Sequence, residues 1–222
     1  MKARKRAMVQ LELPARGRGG RRPGAGRPKS RKSGVPHVRR ARFKKLPIHI
    51  TLKVRDDVGD LRTHKRFREI QRAFYAACDH LGMRLLQFSV QGNHIHLVVE
   101  AVDHRTLGRA MQGLTIRLAK GVNRAGGQHG TVFADRYHAH LLKTPAEVRN
   151  AVHYVLHNRC KHQRQRGLPT HPWDLDEFSS ASGEACWYVG DGGEAAMVIV
   201  DPCTWLGWHS AAVDARLRAP EI

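Results

Sequence analysis

Between Pro47 and Cys160 the apolar residues change their spacing from two to three-or-four and back again several times, and few folds accommodate that order. Ile48, Ile50, Leu52 and Val54 alternate with His49, Thr51 and Lys53, the period of a half-buried strand. From His64 to Leu81 the positions Phe67, Ile70, Phe74, Ala77 and Leu81 recur at three and four and form one helical stripe, with Gly82 placed to cap it. Met83 to Val90 and His94 to Ala101 read as two strands joined across Gln91-Gly92-Asn93, residues suited to a tight antiparallel turn. A second helix is expected from about Thr106, carrying Leu107, Met111, Leu114, Leu118 and Val122 on one face and ending at Gly126-Gly127. Tyr137 to Lys143 fits a fourth strand. Thr144-Pro145-Ala146-Glu147 then combines an N-cap threonine, a proline in the first turn and a glutamate three residues after the cap, the start of a third helix running to about Cys160.

The order β-α-β-β-α-β plus a helix predicts an α+β domain, a ferredoxin-like antiparallel sheet with helices packed on one face and the other face left for a ligand. We place this domain at residues 47–168, after a basic arm (1–46) and before a partly ordered extension (169–222) in which Trp173, Trp187, Trp205 and Trp208 lie among Gly, Ser and Asp. Those tryptophans either pack on the domain or stack on unpaired bases.

Charge is concentrated at one end. The formal net charge is +20, and residues 1–50 hold 17 Lys and Arg against the single acid Glu12. So large an excess points to a polyanionic partner, nucleic acid before membrane. Arg16 to Gly34 is rich in Gly, Pro and Arg with almost nothing apolar, a composition that leaves a segment disordered until it meets such a partner. Within it Arg21-Arg22-Pro23 and Gly26-Arg27-Pro28-Lys29 look like an AT-hook, with Arg21, Arg22, Arg27 and Lys29 as contacts to A·T-rich duplex; a generic counterion-releasing arm is the other reading. No run of about 18 apolar residues would span a bilayer and no secretory signal opens the chain, so a cytoplasmic, nucleoid-associated location is expected. Cys78, Cys160, Cys186 and Cys203 form no CxxC pair and read as free thiols.

The chemistry-bearing residues fall on two segments. Successive strand side chains point to opposite faces, so in His94-Ile95-His96-Leu97-Val98-Val99 the two histidines share one face while Ile95, Leu97 and Val99 share the core face. Imidazoles about 7 Å apart at Cα can converge on one cation, although solvated strand positions show the same pattern. On the third helix Tyr154 and Asn158 stand one turn apart on the same face, with Val148, Val152 and Val155 as the docking stripe. An amide oxygen is a hard ligand that suits a cation beside imidazoles, and a phenol beside a divalent cation is a candidate nucleophile for phosphoryl transfer. Tyr75 and Tyr137 compete for that role; the first sits on a helix beside Phe74, the second at a strand edge.

With these segments together, Pro47 to His162 resembles the single-tyrosine HUH transposases of the IS200-like superfamily, and within them the REP-associated tyrosine transposases. The resemblance rests on Gly92-Asn93-His94-Ile95-His96 and on Asn150-Ala151-Val152-His153-Tyr154-Val155-Leu156-His157-Asn158, and extends to Pro172-Trp173 followed by Ser179-Ser180. It covers about half the chain. The resemblance implies the HUH endonuclease fold, Mg²⁺ or Mn²⁺ held by His94 and His96 with Asn158 as third ligand, and Tyr154 attacking single-stranded, hairpin-bearing DNA to leave a 5′-phosphotyrosine. Where relatives often continue the tyrosine helix into Asn-Pro, this chain reads Asn158-Arg159-Cys160, which leaves the helix end and the placement of Asn158 open. The REP-associated branch looks monomeric. Arg109, Arg117, Lys120 and Arg124 of the second helix are candidate contacts along the DNA path, or simply a solvated face. The rival reading is a non-catalytic single-strand-binding module with the sheet of an RNA-recognition motif; such modules place aromatics on the central strand, where this chain has His94 and His96.

Overall fold

The computed structural model describes residues 42–78, 82–170, 175–189 and 195–204. The arm residues Arg21, Arg22, Arg27 and Lys29 lie outside the described residues, as do Leu81, Trp173, Trp205 and Trp208. Strand β1 (Lys44–Lys53) is followed by helix α1 (His64–Cys78), the hairpin β2 (Met83–Val90) and β3 (His94–Asp103), helix α2 (His104–Gly126), strand β4 (His138–Leu141) and helix α3 (Pro145–Gln165). A short hairpin of β5 (Trp187–Val189) and β6 (Ala195–Met197) comes last.

The main sheet runs β2-β3-β1-β4, antiparallel throughout, which is the strand order of the ferredoxin-like fold. Its alternation is that of the sequence: Ile48, Ile50, Leu52 and Val54 are buried, and so are Ile95, Leu97 and Val99. These residues meet Phe67, Ile70, Phe74 and Ala77 of α1 and Leu107, Met111, Leu114, Leu118 and Val122 of α2 in one core. Asp103 caps α2 by accepting from the amides of Arg105 and Thr106 at 2.9 and 2.8 Å, so the helix begins two residues before the expected start. It ends at Gly127 in the left-handed region, φ 62°, where a glycine carries no Cβ penalty. Thr144 caps α3 as its sequence foretold, its hydroxyl accepting from the Glu147 amide while the Glu147 carboxylate accepts from Lys143.

One feature of the layering differs from expectation. Helices α1 and α2 share a face of the sheet, but α3 crosses the opposite face, where Val148, Ala151, Val152, Val155 and Leu156 pack on Leu86, Val98 and Leu142. The second face is therefore only partly open. The physical reason is that Val98 stands on the same face as the two histidines, and an apolar residue there requires cover.

The described part of the region after residue 169 belongs to the same compact unit as the sheet. Phe178 enters the core, and Ser180 and Val200 donate backbone hydrogen bonds to Phe88 and Leu85 on the outer edge of β2, satisfying groups that an edge strand otherwise leaves unpaired. Asp176, 1% exposed, receives Arg62 through two hydrogen bonds of 2.9 and 2.6 Å and Arg159 of α3 at 3.4 Å. Cys160, Cys186 and Cys203 form no disulfide among the described residues. No described helix is long and apolar enough to cross a membrane.

Candidate active site

The face of the sheet beside α3 is built from alternate residues of three strands. Register places Thr51 opposite His96, Lys53 opposite His94 and His49 opposite His140, so these side chains share that face. His96 is its buried centre. Its Nδ1 lies 3.2 Å from both Thr51 Oγ1 and His49 Nε2, and its ring stacks on His49 with centroids 5.2 Å apart. His94 meets it edge-on at 4.7 Å and directs its own Nδ1 at Asn93 Oδ1, 2.8 Å away. An amide oxygen only accepts, so His94 Nδ1 carries the proton and Nε2 keeps its lone pair.

Helix α3 supplies the other wall. The Tyr154 ring stands edge-on to His96 at 5.2 Å and to His49 at 5.8 Å, with Lys161 Nζ 5.4 Å from its centre. Two turns further on, His162 approaches His94 at 6.3 Å. Tyr154, Asn158 and His162 are spaced by four and lie on one helical ridge, which sets Asn158 between the two contacts. Asn158 is 1% exposed.

Electrostatics keep the imidazoles neutral. Burial, then the neighbouring His94, His49 and His162, pushes His96 down to about 3. Burial followed by His140 and His138 pushes His49 down to about 4, and burial followed by His162 and Lys53 lowers His94. Neutral imidazoles are the metal-ligating form.

Whether a divalent cation suits the site is tested by its buried polar atoms. His96 Nε2 and both amide atoms of Asn158 are buried with no hydrogen-bond partner, a costly arrangement in the absence of a ligand. Two imidazole nitrogens and an amide oxygen form an acceptable donor set for Mg²⁺ or Mn²⁺, with the remaining positions available to water and phosphate oxygens. Among the described residues, no cluster of three His, Cys, Asp or Glu completes a site by itself. The residues present fit the cation.

Residues 43–162 match the family model of the IS200-like transposases. The chain belongs to that family. It is a transposase, an enzyme that binds and transposes DNA. Among solved structures, a REP-associated tyrosine transposase bound to a REP hairpin aligns over 65% of this chain and 82% of its own, with 18% identity and a TM-score of 0.52. A putative transposase from Deinococcus radiodurans aligns over 61% and 95%, with 14% identity and a TM-score of 0.38. A bacterial tRNA(His) guanylyltransferase-like protein in complex with GTP aligns over 80% and 92%, with 12% identity and a TM-score of 0.39. The first likeness is one of fold; the other two, below 0.5, do not bear on the site. No curated protein sequence matches the chain.

The transposase thus brings His94, His96 and Tyr154 into contact and buries Asn158 one turn from Tyr154 on the same ridge. It keeps Arg109, Arg117 and Lys120 apart from them: all three are exposed on α2, on the far side of the sheet from Tyr154. Tyr75 lies on the outer side of α1, 45% exposed and stacked on Tyr188, and Tyr137 is in the main core. His49, Thr51, Lys161 and His162 had no assigned role in the sequence reading. The first two carried a signal, since the alternation of β1 and its central place in a ferredoxin-like sheet put them beside the histidine pair. The other two follow Tyr154 by seven and eight residues, two turns further along α3.

Proposed function

We propose that this transposase cuts and rejoins single-stranded DNA through a 5′-phosphotyrosine on Tyr154, with Mg²⁺ or Mn²⁺ held by His94, His96 and Asn158. The observation that carries the reading is the packing of the Tyr154 ring against His96, whose free Nε2 and the unpartnered Asn158 amide mark a cation position beside the phenol. The phenolic oxygen attacks the scissile phosphorus, the Oη–P bond forms as the P–O3′ bond breaks, and the phenolic proton is accounted for on the departing 3′ oxygen. When bound, the cation neutralises charge on the phosphate oxygens. The diester becomes a phosphotyrosine ester of similar energy, so another 3′-OH reverses the step on a new strand without ATP. His49 and Lys161 hold the phenol ring from its edge and its face, and neutral His94 and His96 stay available as ligands.

The substrate we propose is hairpin-bearing single-stranded DNA, of the kind present in the structure of the REP-associated relative. The arm, through Arg21, Arg22, Arg27 and Lys29, adds contact to A·T-rich duplex. One copy of the chain carries a complete set of site residues, which favours action as a monomer. The test is incubation of wild type and Tyr154→Phe with labelled hairpin-bearing single strands in Mn²⁺ or EDTA, followed by a denaturing gel. A metal-dependent protein-DNA adduct absent in Tyr154→Phe is the expected result. Binding without adduct or cut across a varied set of hairpins would overturn the reading in favour of a non-catalytic binding module.

A further inference from the structure

The face of the Tyr154 ring carries a charge that packing alone does not account for. Lys161 follows Tyr154 by seven residues, nearly two full turns, so both leave α3 on the same side. Side chains in a helix lean towards its N-terminus, which brings the long Lys161 stem back over the ring, with Nζ 5.4 Å from the ring centre. The ring's neighbours on the sheet side, His96 at 5.2 Å and His49 at 5.8 Å, meet it as neutral imidazoles. Lys53, the other lysine of this region, is paired in register with His94 on the sheet.

Lys161 is exposed, and no ion pair among the described residues includes it. An ammonium on a flexible four-carbon stem gains little from an exposed ring contact and gives up little to reach a stronger partner. Other polar groups near it on α3 are engaged elsewhere: Arg159 reaches Asp176, and His162 approaches His94. The chemistry at Tyr154 supplies a stronger partner. A scissile phosphodiester is an anion whose charge is spread over its equatorial oxygens as phosphorus becomes five-coordinate, and positive groups aimed at those oxygens lower the barrier. The two non-bridging oxygens diverge, so a cation on one wall leaves room for a second positive group on the other. The sheet wall has the cation position marked by His96 Nε2, and on the helix wall the positive group beside the phenol is Lys161.

We propose that Lys161 is a further catalytic residue: its ammonium donates a hydrogen bond to a non-bridging oxygen of the phosphate that Tyr154 attacks, and stays on that phosphate in the phosphotyrosine. The proposal rests on Tyr154 being the nucleophile. Lys161 transfers no proton. The Oη–P bond forms as the P–O3′ bond breaks, the phenolic proton ends on the 3′ oxygen, and the ammonium is charged before and after. Because Lys161 and Tyr154 stand on one helix, the contact is kept when the phosphate becomes part of the Tyr154 side chain, and an ammonium with three rotatable donors follows the change in phosphate geometry.

The test has a metal-free and a metal-loaded arm, both with the full chain and labelled hairpin-bearing single strands. In EDTA, on the Tyr154→Phe background, Lys161→Gln is expected to lower the salt dependence of binding by about one phosphate contact, with Lys161→Arg retaining it. In Mn²⁺, with Tyr154 restored, Lys161→Gln should slow adduct formation at saturating DNA about tenfold or more, while the DNA concentration for half-maximal rate changes by less than about threefold; Lys161→Arg should recover most of the rate. Lys65→Gln, which alters an exposed lysine of α1 on the opposite face of the sheet, should match the parent in both arms. An unchanged salt slope in Lys161→Gln would overturn the proposal. So would a lowered slope with an unchanged rate, which marks a DNA contact away from the reacting phosphate, or equal losses in Lys161→Gln and Lys65→Gln, which mark a general effect of charge. If the parent itself forms no adduct, the reading of Tyr154 has failed and this assignment with it; an adduct in the parent that Lys161→Gln forms equally fast is failure of this assignment alone.

Discussion

The hydroxyl of Thr51 offers a sharp test of how the site is set. His96 Nδ1 has two partners at 3.2 Å, Thr51 Oγ1 and His49 Nε2, and its Nε2 has none. A ligating histidine whose second nitrogen is held by a neighbour has its tautomer and ring orientation fixed, and loss of such a partner typically lowers metal affinity ten- to a hundredfold. Thr51→Val removes the hydroxyl and keeps the β-branched shape that suits β1. Because His49 remains, the single change should fall at the lower end, about tenfold or ~1.4 kcal/mol, and Thr51→Val with His49→Phe should approach the upper end. The pair is not expected to be additive, since both address one nitrogen. Titration of Mn²⁺ by electron paramagnetic resonance measures the affinity directly, without DNA, and Thr51→Ser should restore it. If the double variant binds Mn²⁺ as tightly as wild type, these side chains do not set His96 and the argument from Nδ1 fails.

Asp176→Ala leaves Arg62, 15% exposed at its side chain, without its buried counter-charge, a change of about 3–5 kcal/mol that should lower the melting temperature by roughly 6–20 °C in a thermal scan. The metal-free protein should also lose stability as pH falls from about 6.5 towards 4: His49 and His96 have folded values near 4 and 3, below the unfolded 6.5, so the unfolded state takes up protons first in that window; melting curves in EDTA across pH, flattened by His49→Gln, would check the direction.

Much of this arrangement was legible because period decides facing. The alternation in β1 and β3 places Ile50 and Leu97 in the core and His96 opposite, and the four-residue spacing of Tyr154 and Asn158 puts both on one ridge. The position of α3 was harder to see, because its valines show that it docks but not on which face. The clue was Val98, an apolar residue in line with His94 and His96, which an open ligand-binding face would not favour. Glu100, also in that line, is 1% exposed and accepts hydrogen bonds from the amides of Cys203 and Thr204. That pairing spans half the chain and has no local signature. Nor could spacing reveal the seating of Trp187, which depends on Gln71 reaching across from α1 to the carbonyls of β5.

The site is divided between two substructures that the fold holds with different strength. His94, His96 and His49 belong to the sheet, whose strands are fixed by the main core with α1 and α2. Tyr154 belongs to α3, which rests on a separate and smaller apolar cluster, with Leu86, Val98 and Leu142 beneath Val148, Ala151, Val152, Val155 and Leu156. Local opening free energies follow local contact density, so the helix that carries Tyr154 is held less strongly than the strands that carry the histidines. Arg159 joins α3 to Asp176 through a long 3.4 Å contact, while Arg62 holds the same carboxylate by two shorter bonds. Lifting α3 from the sheet would give up, among the described residues, this smaller cluster, the long Arg159 contact and the ring contacts of Tyr154 and His162 with the histidines. The strands that carry His49, His94 and His96 keep the main core beneath them, and Asp176 keeps its two shorter bonds to Arg62.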